Sequence, residues 1–171
     1  MNIKKLVNWI IEENDKWSDE QYCLKQVKQD GLALQYVKKQ TSKICLEAVK
    51  QDGYILRFIK EQTPEICLAA VRQDGHALRY VIEQTPGICL EAVKQDGLAL
   101  AYVRKQTSEI CLAAVKEDGY ALQYVRKQTP EICAAAVKQN PDAAKYTILP
   151  SEPEARKQFI KEFVFYLNQE D

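Results

Sequence analysis

The sequence predicts an all-α chain: an α-solenoid of about six 22-residue helix-turn-helix repeats with N- and C-terminal capping helices. Three observations carry this. Six cysteines, Cys23, Cys45, Cys67, Cys89, Cys111 and Cys133, recur at a constant separation of 22 residues, which marks a repeat rather than six unrelated thiols. Each sits in the same pattern, clearest in Thr63-Pro64-Glu65-Ile66-Cys67-Leu68-Ala69-Ala70-Val71-Arg72-Gln73-Asp74-Gly75-His76-Ala77-Leu78-Arg79-Tyr80-Val81-Ile82-Glu83-Gln84. Each repeat carries two apolar stripes on segments shorter than the ~12 to 15 residues an isolated helix needs in water, so stacking must supply the stability.

Within the unit, Thr63-Pro64-Glu65 is a helix start. The hydroxyl caps free amides, and proline suits the first turn, where no amide partner is needed. Helix A is expected over about 64–73. Gly75 lacks a β-carbon, so Asp74-Gly75 is expected to reverse the chain through a conformation other residues resist. Helix B is then expected over about 76–83. Ile66, Cys67, Leu68, Ala70 and Val71 cover more than half of helix A, whereas Ala77, Leu78, Tyr80 and Val81 form a narrower stripe on helix B. Helix A therefore belongs at the centre of the stack, with helix B further out.

The chain reads as one solenoid domain over 1–171, with an N-terminal cap at 1–18, repeats at 19–150 and a C-terminal capping helix at 151–171. Ile3, Leu6, Val7, Ile10 and Ile11 make one helical stripe, and Trp9 and Trp17 add bulk to close the first layer. The sixth repeat decays: Asn140-Pro141-Asp142 replaces Asp-Gly-X, and Ala144 and Thr147 replace Leu and Val. Ser151 with Glu154 reads as a capping box ahead of Phe159, Ile160, Phe163, Val164 and Leu167.

The stretches Ala69-Ala70-Val71-Arg72-Gln73-Asp74-Gly75 and Glu91-Ala92-Val93-Lys94-Gln95-Asp96-Gly97-Leu98-Ala99-Leu100-Ala101-Tyr102, with their copies, carry a resemblance over roughly two-thirds of the chain. They are similar to an uncharacterised family, a domain of unknown function built of short tandem helical hairpins and found in bacterial and large-virus proteins. The chain departs from the family pattern in placing a cysteine at the front of every helix A and in its uniform, shorter period. The resemblance implies tandem hairpins and no activity.

Composition narrows the function classes. Lys+Arg and Asp+Glu number 24 each, so the large positive field of most nucleic-acid binders is missing. No apolar run approaches the roughly 18 residues that cross a bilayer. Asn8 and the acidic run Glu12-Glu13-Asn14-Asp15 spoil an N-terminal secretory signal, so a cytoplasmic, unprocessed chain is expected. Stacked helices keep equivalent residues ~8 to 10 Å apart, too far for two sulfurs to share a zinc ion or a disulfide. The cysteines are therefore expected as buried, reduced fillers. With one histidine, His76, and no phosphate loop or nucleophile elbow, no enzyme and no cofactor or metal is expected.

Copies that are otherwise near-identical differ at the start of helix B (Leu32, Tyr54, His76, Leu98, Tyr120, Asp142), three residues on (Gln35, Arg57, Arg79, Ala101, Gln123, Lys145) and seven residues on (Lys39, Glu61, Glu83, Lys105, Lys127). Helical spacing puts each trio on one side of helix B, away from its apolar stripe. Aromatic and arginine residues gathered on one face have the composition of interface hot spots. The expected function is a non-enzymatic scaffold, of the inhibitor or adaptor kind, binding a protein through Tyr54, Arg57, Glu61, His76, Arg79, Glu83, Tyr120, Gln123 and Lys127. A monomer or weak homodimer is expected. The alternative is a nucleic-acid-binding solenoid using the stripe Lys28, Lys50, Arg72, Lys94, Lys116 and Lys138. Convergence of Arg57 and Arg79 on a small anion is a third. The series Tyr36, Phe58, Tyr80, Tyr102, Tyr124 and Tyr146 is expected as a core ladder rather than a base-stacking platform. Gln40, Gln62, Gln84, Gln106 and Gln128, each before a Thr cap, are expected to satisfy loop carbonyls.

Overall fold

The computed structural model describes residues 3–169 and, within them, all side chains but those of residues 8–14. The elements are helical throughout the described residues. After α1 (Ile3–Lys16), the chain builds six layers, each an α-helix followed by a 3-10 helix. They are α2 (Glu20–Gln29) with η1 (Gly31–Tyr36), α3 (Ser42–Gln51) with η2 (Gly53–Phe58), and α4 (Pro64–Gln73) with η3 (Gly75–Tyr80). Then come α5 (Pro86–Gln95) with η4 (Gly97–Tyr102), α6 (Ser108–Glu117) with η5 (Gly119–Tyr124), and α7 (Pro130–Gln139) with η6 (Pro141–Tyr146). A final helix, α8 (Pro153–Leu167), follows. Consecutive α-helices pack on one another and consecutive η-helices do the same, so the molecule is a two-column α-solenoid.

Helix A forms as its start signal dictates. Thr63 is extended and its hydroxyl accepts the Ile66 N–H at 3.3 Å; Thr41, Thr85, Thr107 and Thr129 repeat the cap. Ile66, Cys67, Ala70 and Val71 of α4 are buried, as are their equivalents in α3, α5 and α6, and they join Ala77, Leu78 and Val81 in one continuous core.

Helix B differs from expectation in kind and length. It is a six-residue 3-10 helix that ends at Tyr80, and Val81 leaves it extended. Two residues account for the change. Asp74 donates its backbone N–H to Ala70 O, closing α4, while its carboxylate accepts the His76 N–H at 2.8 Å, starting η3. At the far end a β-branched residue, which favours extended backbone, occupies the exit and is buried: Val37, Ile59, Val81, Val103 and Val125.

The glycine is needed for a different reason from the one expected. Among the described residues no glycine has a positive φ. A β-carbon at Gly75 would lie 2.5 Å from the backbone oxygen of Ala92 in the next α-helix. Close approach of two layers, not a left-handed turn, excludes a side chain here. The sixth layer supports this reading, since no repeat follows it, and there Pro141 takes the position and is exposed.

Glutamines tie the layers together at the exit of each 3-10 helix. Gln84 Nε2 donates to Leu78 O (3.2 Å) and to Tyr102 O one layer on (3.0 Å), while its Oε1 accepts the Arg104 N–H (2.9 Å). Gln40, Gln62, Gln106 and Gln128 make the same reach to the next exit. The loop carbonyls are satisfied as expected, but between layers. In the first layer Ser18 stands at the glutamine position, and the Trp17 carbonyl substitutes, accepting from Lys38 N–H (3.1 Å) and the Cys23 thiol (3.4 Å).

At the ends, Ile3, Leu6 and Val7 are exposed, Trp17 packs on the core, and the side chains of Trp9, Ile10 and Ile11 lie outside those described. Helix α8 lies on α7 and buries Phe159, with Phe163 partly buried and Ile160 and Val164 exposed. The expected Ser151 capping box does not form. Glu152 occupies the cap position with no side-chain bond to the helix amides, and Pro153 opens the first turn without needing one.

Candidate functional site

The outer surface of the η column is where the variable residues meet. The second residue of η2, η3 and η5 leans on the last residue of the next 3-10 helix. Tyr54 packs edge-on against Tyr80 with ring centroids 5.7 Å apart, His76 against Tyr102 at 5.5 Å, and Tyr120 against Tyr146 at 6.1 Å. The fifth residue of η2, η3 and η6 places a cation over rings of this face. The Arg57 guanidinium lies 4.6 Å from the Phe58 centroid, Arg79 lies 5.3 Å from both Tyr80 and Tyr102, and Lys145 Nζ lies 5.1 Å from both Tyr120 and Tyr146. Rings and cations thus share one face in these layers.

This geometry revises the reading of the aromatic series. These side chains border the core instead of filling it: Phe58, Tyr80, Tyr102 and Tyr146 are half-buried, and Tyr36 and Tyr124 are exposed. They and the variable positions form one surface. Desolvation at the packed edge pushes the Tyr54 phenol above its ordinary range, with Asp74 adding to the effect.

Of the residues singled out, Tyr54, Arg57, His76, Arg79, Tyr120 and Gln123 belong to this face. Glu61, Glu83 and Lys127 do not. A spacing of seven keeps a residue on one side of an α-helix, but the 3-10 helix has ended and the chain is extended before position seven is reached. Glu83 and Lys127 instead line clefts on the exit edge, Glu83 with Pro64, Ile82 and Thr85, and Lys127 with Thr107, Arg126 and Thr129.

His76 is more than a surface histidine. Its Nδ1 sits 2.9 Å from Asp96 Oδ2 in the next layer and 3.7 Å from Asp74 Oδ1 in its own. Arg57 and Arg79 lie over separate rings, Phe58 for the first and Tyr80 with Tyr102 for the second.

The basic stripe of helix A is exposed, with partners along it. Lys50 Nζ meets Glu47 at 2.9 Å and Arg72 Nε meets Glu91 of the next layer at 2.7 Å, and these bonds hold both carboxyls below the ordinary range. Lys138 Nζ donates to Gln169 O at 2.5 Å.

All six thiols are free and buried, and burial raises the pKa of each, that of Cys133 to about 11. They do more than fill space. Cys67, Cys89, Cys111 and Cys133 donate weakly, at 3.5 to 3.7 Å, to the Oε1 of the clamping glutamine five residues before. Among the described residues no three His, Cys, Asp or Glu are grouped to hold a metal ion.

Two devices escaped the reading of the sequence. Gln73, Gln95 and Gln139, at the ends of their α-helices, accept the N–H of Gly53, Gly75 and Gly119 in the preceding layer. Arg104 and Arg126 reach back one layer to two exit carbonyls each, Ile82 and Val81 for the first and Arg104 and Val103 for the second. The first was visible as a 22-residue glutamine periodicity. The second was not, because the position also carries lysine and isoleucine.

The family model described as Domain of unknown function (DUF4116) matches residues 42–84, 86–129 and 107–147, more than half of the chain. The chain belongs to the DUF4116 family. Each DUF4116 match spans two layers, so one family unit corresponds to a pair of the α–η hairpins described above. No curated protein and no solved structure matches the chain.

Among the described residues, no helix of this DUF4116 chain is long and apolar enough to cross a membrane.

Proposed function

We propose that the chain is a non-enzymatic scaffold of the inhibitor or adaptor kind, which holds a protein partner along the aromatic and cationic face of its η column. One observation carries the reading. The positions at which near-identical repeats differ, Tyr54, Arg57, His76, Arg79, Tyr120 and Gln123, fall together among the constant tyrosines on a single surface. Positions on the exit edge and on the exposed side of helix A vary too, as Lys60, Ile82 and Arg104 or Lys43, Glu65 and Gly87 do, but they gather no aromatic side chains. Rigid aromatic rings and arginines lose little freedom on binding, which suits a surface of this composition to act as a hot spot. Six reduced, buried thiols fit a cytoplasmic setting, and a monomer or weak homodimer fits a solenoid that works by presenting one face.

The nucleic-acid alternative draws on the exposed cations of helix A, but Lys50 and Arg72 already face Glu47 and Glu91. The two readings separate by site-specific photo-crosslinking in the producing cell. A cross-linker at Gln123 on the η face is expected to capture a protein partner, and one at Lys94 on the α face is not. Adducts from Lys94 alone, or adducts to nucleic acid, would overturn the proposal.

A further inference from the structure

We infer that the junction between the fourth and fifth layers is a notch that takes one arginine side chain of the partner, an inference that rests on the η face being the binding surface. The chain supplies its own template for the site one junction earlier. Between the third and fourth layers, His76 and Arg79 both engage the next layer: the imidazole stacks on Tyr102 and meets Asp96 Oδ2 at 2.9 Å, and the guanidinium lies 5.3 Å from the Tyr102 ring. Asp96 keeps its other oxygen for the Leu98 N–H that starts η4, at 2.8 Å.

One layer on, the receiving groups are present and the donors are not. Tyr124 stands where Tyr102 stood, and Asp118 stands where Asp96 stood, with its Oδ1 accepting the Tyr120 N–H at 2.8 Å. But Leu98 replaces His76 and Ala101 replaces Arg79. The consequence is measurable: Tyr124 is 38% exposed, whereas Phe58, Tyr80, Tyr102 and Tyr146 are half-buried, and Ala101 is itself exposed. The other leucine junction is not open in this way, because Arg57 already covers Phe58 at 4.6 Å. The charge of this layer differs as well, since α6 ends in Glu117, directly before Asp118, where the other five α-helices of the stack end in glutamine.

An exposed ring beside a carboxylate, bounded by an alanine, calls for a planar cation. A guanidinium can lie on the ring and direct N–H groups sideways to Asp118, whereas an ammonium is a strongly hydrated point charge without that plane. The partner's arginine thus completes in the fifth layer what Arg79 completes in the fourth.

The test titrates the full chain with the capped peptide acetyl-Gly-Arg-Gly-amide and follows the Ala101 and Leu98 methyl and Tyr124 ring resonances by NMR. Saturable shifts confined to these residues are expected, weaker with lysine in the peptide and lost with citrulline, which keeps the shape without the charge. Ala101→Arg should fill the notch from within. It should abolish the shifts and raise the melting temperature by about 2 °C, because the equivalent positions already hold Arg57 and Arg79. Tyr124→Leu should abolish them by removing the ring. Equal shifts with citrulline, shifts of the same size at Tyr80 and Tyr102, or undiminished binding to Ala101→Arg would overturn the notch. Its failure is separable from failure of the face: cross-links from Gln123 that persist while the peptide fails to bind sink the notch alone, and absence of those cross-links sinks both.

Discussion

The two columns of the solenoid obey different rules. In the α column each helix from α3 to α7 meets a helix on either side, and Ile, Cys, Ala and Val recur at the same buried positions from α3 to α6. In the η column the inner residues, alanine and leucine or isoleucine, are just as constant, but the outer ones change from layer to layer. The difference teaches where freedom lies in such a stack. A residue enclosed by three layers cannot change alone, whereas one that touches only the edge of the next layer can, and that edge is where this chain carries its aromatic and cationic side chains.

The comparison is broken most severely from inside the η column. Leu78 is fully buried, and Leu78→Ala is expected to cost about 2 to 5 kcal/mol in chemical denaturation, because neighbouring layers cannot collapse into the cavity. The equivalent residue of the last layer, Ala144, is exposed, so Ala144→Ser there should change stability by less than about 0.5 kcal/mol. Equal effects would mean that the layers are not closed by their successors. Gly75→Ala is expected next, at about 1 to 3 kcal/mol, since the new β-carbon meets a backbone oxygen that can move only with α5.

A smaller effect tests the seam between the columns. Gln84→Leu removes an acceptor and two donated bonds at once, and stranding the Leu78 and Tyr102 carbonyls and the Arg104 N–H should cost about 2 kcal/mol. The thiols beside the glutamines give the seam a pH dependence. Burial raises their folded pKa above the ordinary value of 9.0, so well below pH 9 they are protonated in both states and stability does not depend on them. As pH rises further the unfolded chain ionises first, and stability falls by up to about 1.4 kcal/mol per pH unit for each thiol until its folded pKa is passed. For Cys133 that window runs from 9.0 to about 11. Melting temperatures measured across this range should drop, and Cys133→Ala should shallow the slope.

Much of this was legible in the sequence because the signals were local and repeated. The 22-residue period, the Thr-Pro start and the bounds of α4 follow from cap chemistry that needs no neighbour. What was not legible depended on contacts between layers. The glycine pattern suggested a turn, whereas the reason for Gly75 is the oxygen of Ala92, seventeen residues ahead in the chain. The apolar stripe of helix B is compatible with a spacing of three as well as four, so its 3-10 character, and with it the removal of Glu61, Glu83 and Lys127 from the face, could not be read from periodicity alone. The pairing of Tyr54 with Tyr80, across 26 residues, was equally hidden, although both rings had been singled out.

The smallest expected effect on stability is also the sharpest test of the η face. The double variant His76→Leu, Arg79→Ala rewrites the junction of the third and fourth layers as a copy of the next one. It removes one ring contact, one bond to Asp96 and one cation over two rings, all at a partly exposed edge, and should cost no more than about 1 to 2 kcal/mol. The outcome that matters lies in binding. If exposure of a ring beside a carboxylate with one oxygen to spare is what makes a site, Tyr102 should now respond to the arginine peptide as Tyr124 does, giving two sites one layer apart. A peptide carrying two arginines at a matching separation would then bind more tightly than either site alone, through effective concentration. A double variant that stays folded but shows no shift at Tyr102 would mean that Leu98 and Ala101 are tolerated changes on an idle surface, and that the exposure of Tyr124 has no consequence.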